Sequence, residues 1–259
     1  MKLRAAMVFI ATTMISLAWT ASAQAIEKFH SVHLMATDAK EAAAWYGEHL
    51  GGVVAESGDL VMFGDVALVW LQKKARFPGS EGSSVDHIGF SFGDIDDKMK
   101  GFEAAGIKIV ERVQTMGDWK LAFIEDPWGT KIEIIQDPDL LGFHHVHLHT
   151  PDPETTLQWY ADAFGGEIST FKGASFLPSI RYPNMWLIAQ RVPNEKKPTK
   201  GRAVDHIIWN FADLDAAAEI LKAKGVKFTM NPMTFGNIRI AFIMGPNGVT
   251  VELIQPTVE

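Results

Sequence analysis

From His87 to Phe92, and again from His206 to Phe211, apolar residues run in short, partly alternating stretches that predict strands. Asp94 and Asp213 follow, suited to cap helices predicted over 94–105 and 213–224. Gly106 and Gly225 come after the last turns of those helices, where a left-handed residue commonly ends a helix. Further strands are predicted over 108–113, 120–125 and 130–136, the last two separated by the turn Asp126-Pro127-Trp128-Gly129. Two other stretches follow the same plan, with helices at about 40–50 and 153–164. There Trp45-Tyr46 and Trp159-Tyr160 stand at helical spacing with Leu50 and Phe164 and read as core.

The recurrence of this plan is an internal repeat. Phe29-His30-Ser31-Val32-His33-Leu34 aligns with Phe143-His144-His145-Val146-His147-Leu148, and the register continues through Asp38/Asp152, Trp45-Tyr46/Trp159-Tyr160 and Gly51-Gly52/Gly165-Gly166. In a second register Asp86-His87-Ile88 matches Asp205-His206-Ile207, and Pro127, Gly129 and Glu133 match Pro246, Gly248 and Glu252. The chain is therefore a duplication of a half made of two modules, an N-terminal pair over 27–137 and a C-terminal pair over 143–256. Polar linkers at 73–84 and 193–203 join the modules within a half, and only 137–142 joins the halves.

Composition narrows the chemistry. The 259 residues are 47% apolar and 21% charged, as in an ordinary globular protein. A net charge of −7 offers no basic stripe for a phosphate backbone, so nucleic acid is excluded as the expected partner. There is no cysteine, so any metal must rest on His, Asp or Glu. Lys2 and Arg4, an apolar stretch from Ala5 to Thr20, and Ala21-Ser22-Ala23 predict a signal peptide over 1–23, cleaved near Gln24. The expected product is periplasmic or secreted, not membrane-bound after cleavage, and a monomer or homodimer.

Four βαβββ modules, with opening strands reading Asp-His-Ile and closing strands reading Pro-x-Gly-x-x-x-Glu, resemble the vicinal oxygen chelate superfamily of glyoxalase I, bleomycin-resistance proteins and extradiol dioxygenases. The resemblance implies an α+β fold of two cupped, incomplete barrels built by tandem duplication. It also implies a divalent metal, Fe(II), Mn(II) or Zn(II), held on residues of opening and closing strands. Alternation along a strand places His145, His147 and His149 on one face and His144 on the other. By resemblance the metal set is His145, His206 and Glu252, provided that consecutive modules pair; sequential pairing is expected because each half carries its own long internal linker. Where modules one and four pair, and two with three, the set becomes His87 and Glu133 with His145. The position equivalent to His145 in the first half is Ser31, a poor ligand, so that half is expected to hold a degenerate site.

Family members differ in what surrounds the metal, and this chain departs from two of them. Glyoxalase I adds a fourth Glu or Gln ligand, and its equivalents here align as Val69 and Leu187, with Gln72 and Gln190 nearby. The extradiol dioxygenases carry a Tyr where this chain has Phe242. His147 and His149, beside the metal position, are the candidate general bases, since imidazole titrates near neutrality. Asn210, Tyr182 and Arg181 are candidates for orienting substrate. The expectation is an exported metal-dependent enzyme with isomerase, lyase or dioxygenase chemistry on a small oxygenated substrate. The alternative is a non-catalytic protein that sequesters a small molecule, of the bleomycin-resistance type.

Overall fold

The computed structural model describes residues 27–256, so the expected signal peptide lies outside the described residues. Module one comprises β1 (Lys28–Ala36), α1 (Ala39–Leu50), β2 (Val53–Val54), β3 (Leu60–Phe63) and β4 (Val66–Gln72). Module two comprises β5 (Val85–Ser91), α2 (Ile95–Ala104), β6 (Lys108–Met116), β7 (Trp119–Glu125) and β8 (Lys131–Ile135). Module three comprises β9 (Gly142–Thr150), α3 (Pro153–Phe164), β10 (Ile168–Thr170), β11 (Pro178–Tyr182) and β12 (Met185–Arg191). Module four comprises β13 (Val204–Asn210), α4 (Leu214–Ala223), β14 (Phe228–Phe235), β15 (Ile238–Met244) and β16 (Thr250–Pro256).

Each helix begins the same way. Asp38, Asp94, Asp152 and Asp213 stand at the N-caps, and their carboxylates accept backbone N–H groups of the first turn. Gly106 and Gly225 take φ of 72° and 80°, the left-handed region in which a Cβ is strained.

The modules pair differently from the sequential expectation. One eight-stranded sheet runs β14-β15-β16-β13-β1-β4-β3-β2 and the other β10-β11-β12-β9-β5-β8-β7-β6. Module one thus joins module four through antiparallel β1 and β13, and module two joins module three through antiparallel β5 and β9. The linkers explain this. The short segment between β8 and β9 connects modules of the same sheet, as short connections do. The two long linkers cross between sheets, side by side, and touch at a bridge between Ser83 and Lys197.

Both sheets are open, and each has two unlike faces. One face of each lies on a shared core with the helices, where repeat equivalents meet: Phe29 stacks on Phe143 with ring centroids 6.0 Å apart. A residue that contacts its own equivalent marks a pseudo-two-fold relation between the halves. Tyr46 and Tyr160 are fully buried in this core and Trp45 and Trp159 pack against it, as expected. The other face of each sheet forms a cup with a small apolar cluster of its own, built on Ile135, Phe171 and Ile188 in one and on Ile208, Ile240 and Ile254 in the other.

Candidate metal centres

In the cup of modules two and three, His87 on β5, Glu133 on β8 and His145 and His147 on β9 each bring a ligand atom within 4.8 Å of the others. His87 Nε2 lies 3.0 Å and His145 Nε2 3.3 Å from Glu133 Oε2. Local irregularities of the strands build this arrangement. The β5–β9 ladder shifts register between Val85 and His87, so that Asp86 and His87, neighbours in sequence, meet: His87 Nδ1 is 2.9 Å from Asp86 Oδ1. A second shift, between Gly89 and Phe90, bulges the strand at His144. Its ring does not turn away from the cup face as a regular strand would require. Its Nδ1 lies 2.8 Å from His145 Nδ1 and its Nε2 3.1 Å from Asp137 Oδ2, while Lys172 Nζ lies 3.0 Å from Asp137 Oδ1. Ligand imidazoles in proteins are oriented by such outer partners.

The donor set fits a divalent metal on three observations. His145 Nε2 and both nitrogens of His147 are buried without a hydrogen-bond partner among the described residues. Gly89 faces His145 across the ladder, and a Cβ there would lie 2.0 Å from the His145 ring, so the backbone leaves space for that imidazole alone. The protonation states also suit ligation. Burial holds His147 well below the ordinary imidazole range, reinforced by His87 and His145 beside it, and pulls His145 down to about 4 despite Glu133. Burial would raise Glu133, but the charge and hydrogen bonds of His145 and His87 outweigh it and hold the carboxyl well below its usual range. Neutral imidazoles at His145 and His147 and an ionised carboxylate are what a divalent transition ion takes. His87 differs: burial would lower it, but Asp86 and Glu133 outweigh this and hold it above the ordinary imidazole range, so an ion has to displace its proton.

Beside this cluster opens a cavity of about 200 Å³. Trp119, Leu121, Phe123, Phe171, Leu177 and Ile188 give it an apolar wall, with Glu111, Gln114 and Gln190 as polar groups. His147 lies on the wall. His149 is part-buried further along, its Nδ1 3.3 Å from Asp86 Oδ2. The position opposite His147 on β12 is Ile188, one residue on from the aligned Leu187, which points into the shared core; in module one Val69 stands likewise opposite His33. Both are apolar, so no fourth ligand comes from these two positions.

His206 and Glu252 are not part of this cluster. In the cup of modules one and four they stand with His33: His206 Nε2 is 3.0 Å from Glu252 Oε2 and His206 Nδ1 2.6 Å from Asp205 Oδ1. The set His145, His206 and Glu252 is therefore divided between the two cups, and the set His87, Glu133 and His145 comes together. His147, expected beside the metal as a base, also brings a donor atom into the cluster, and Asp86, Asp137, His144 and Lys172 are supporting residues that alternation along a regular strand gives no reason to select. Of the substrate-orienting candidates, Tyr182 is buried in the shared core, Arg181 is spent on backbone carbonyls of Tyr182 and Met185, and Asn210 ends β13 beside Lys28.

Comparison with known proteins agrees with this architecture. The family model described as Glyoxalase/Bleomycin resistance protein/Dioxygenase superfamily matches residues 28–134 and 142–253. A relative from Arabidopsis thaliana, named probable lactoylglutathione lyase, chloroplastic, is 26% identical over 182 residues, or 64% of this chain and 51% of its own length. The chain thus spans about half the length of that relative. The crystal structure of glyoxalase I from Zea mays superposes with a TM-score of 0.73 at 19% identity, covering 88% of this chain and 92% of that one. With two matched segments that together span most of its length, the chain belongs to the glyoxalase/bleomycin resistance protein/dioxygenase superfamily.

Proposed function

We propose that this protein is a metal-dependent enzyme whose centre is His87, Glu133 and His145, acting on a small, uncharged, oxygenated molecule with an apolar or aromatic body. The observation that carries the reading is the buried donor cluster, with its unpartnered imidazole nitrogens, beside an apolar cavity. When bound, a divalent ion supplies Lewis-acid polarisation of neighbouring substrate oxygens and, as Fe(II), redox chemistry with dioxygen. The chain's own residues do the rest. Glu133 and the two imidazoles supply three ligands and leave positions for substrate. His147, a neutral ring on the cavity wall with both nitrogens unpartnered, accepts the proton moved in an isomerase or lyase reaction; burial makes it a weak base, matched to a substrate proton that metal coordination has made acidic. A sequestering protein has no use for such a cluster.

The cavity wall distinguishes substrate classes. A glutathione adduct carries two carboxylates, which need cationic partners when taken from water. No Lys or Arg lines this cavity, and Glu111 does. The nearby cations are already engaged, Lys172 with Asp137 and Lys131 with Asp86 at 3.6 Å. We therefore infer an uncharged hydroxycarbonyl or vicinal diol substrate in place of the thiol adduct that the Arabidopsis relative's name implies. We also propose export, on the N-terminal pattern alone; the intact mass of the protein recovered from a periplasmic fraction checks it, and a chain still starting at Met1 would refute it.

The test is a turnover screen of metal-loaded protein with aryl hydroxyketones and catechols against the glutathione hemithioacetal of methylglyoxal. Turnover is expected with the uncharged class. His147→Gln is expected to keep its fold and metal and lose turnover by about a hundredfold or more. Preferred turnover of the hemithioacetal would overturn the substrate class, and loss of metal in His147→Gln would make that ring a ligand instead of a base.

A further inference from the structure

The two cups differ by a paired exchange of residue size. On β9, His145 stands opposite Gly89 of β5; at the same place in the other cup Ser31 stands opposite Ile208. Ile208 is buried in the apolar cluster with Ile240 and Ile254, filling the space that an imidazole takes in the first cup. Ser31 offers no imidazole at that point, and its Oγ is engaged with His30 Nδ1 at 2.9 Å. Two residues further along β1, however, His33 faces the same cup and pairs in register with His206. The two ring centroids are 4.4 Å apart and the rings are tilted by 59°. His33 Nδ1 is 3.8 Å from Glu252 Oε2, too far for a hydrogen bond, so that carboxylate does not claim the ring. His206 is oriented as ligand imidazoles are: Asp205 engages its Nδ1, the Gly201 N–H donates to Asp205 at 2.5 Å, and Nε2 turns toward Glu252.

We propose that this cup holds its own divalent ion on His33, His206 and Glu252, a centre unlike the one in the other cup. Two imidazoles and one carboxylate with open positions form a recognised transition-metal set. In the cup of modules two and three, His145 completes the ligands and leaves His147 free; here the equivalent ring, His33, is itself a ligand, and the remaining imidazole nearby, His30, is engaged through Nδ1 with Ser31 Oγ at 2.9 Å. The second centre is therefore a binding site without the proton acceptor of the first. The inference goes beyond the proposed enzyme centre and does not depend on it.

The whole chain, stripped with chelator and reloaded with Zn(II) alone, tests this by elemental analysis, with Co(II) loading and visible absorption as a second readout. The unaltered protein is expected to bind one ion for each cup. His33→Ala should lose the ion of this cup and its cobalt band while keeping the other, and Glu133→Gln should do the reverse. His33 is chosen because it is only part-buried, so that its loss does not open the core; near-UV circular dichroism and His33→Gln verify this. An unchanged ion count in the His33 variants overturns the proposal, as does loss of both ions. An ion count unmoved by Glu133→Gln would instead count against the enzyme centre and leave this one standing.

Discussion

Gly89 shows how much of the enzyme centre rests on a residue with no side chain. Its φ is not positive, so backbone strain is not the reason for glycine; the reason is the His145 ring, which a Cβ would meet at 2.0 Å. His145 is fully buried and bonded to His144, so it has nowhere to retreat. Gly89→Ala is expected to weaken metal binding in this cup by about ten- to a hundredfold, the usual effect of disturbing a ligand's surroundings, while the other cup binds as before. Gly101→Ala, on α2 with open space around it, serves as the control and should stabilise by about 0.5–1 kcal/mol. Isothermal titration with Zn(II) and denaturant unfolding read the two effects. His87, Glu133 and His145 were legible in sequence as metal-ligand residues; the role of Gly89 was not, because it depends on which strand lies across the ladder.

Among the elements, helices and their caps were legible because Asp, the apolar period and Gly are local signals. The bulges at Asp86 and His144 were not, since a bulge is a property of two strands and the sequence displays one at a time. The helix contacts of the two halves differ in an instructive way. Tyr46 on α1 donates to Asp126 at 2.8 Å in the turn before β8, and that carboxylate also accepts the N–H groups of Trp128 and Thr130. The equivalent turn has Gly245, and the hydroxyl of Tyr160 on α3 is buried with no partner among the described residues. Tyr46→Phe is expected to cost about 1–3 kcal/mol in denaturant unfolding, and Tyr160→Phe to be neutral or slightly stabilising. The same turn sets a pH dependence. Burial pushes the Asp126 carboxyl up from the ordinary 3.8 to about 6, its hydrogen bonds opposing. The folded protein then binds a proton in a range where the unfolded chain does not. Its contribution to stability rises as pH falls through 6 and is complete below about 4, worth roughly 3 kcal/mol at 1.36 kcal/mol per pH unit. Unfolding free energies at pH 7 and pH 4.5 check this: the unaltered protein should gain on acidification relative to Asp126→Asn, and a constant difference would refute it.

At the scale of the molecule, the duplication and the α+β module plan were legible, and the pairing of modules was not. Linker length pointed the wrong way when read as a sign of association within a half: a long linker is what a chain needs to reach the other sheet, and a short one is what neighbours need. Because the ligands come from opening and closing strands of different modules, this one topological choice reassigned them, moving His145 from His206 and Glu252 to His87 and Glu133. It also makes the halves mutually dependent. In residues 27–137, β1 and β5 are central strands whose free edges are covered by β13 and β9 from the other half. Expressed alone, that half would expose two long, apolar strand edges, which proteins otherwise cover or pair. Its own β1 and β5 are repeat partners of β9 and β13, so a second copy offers the nearest substitute. Residues 27–137 and 138–256 produced separately are therefore expected to dimerise or aggregate, and to form a one-to-one complex with the metal affinity of the intact chain when refolded together. Size exclusion with light scattering distinguishes these states. A folded, monomeric half with its own metal ion would show that consecutive modules can pair after all, and would return His206 and Glu252 to His145.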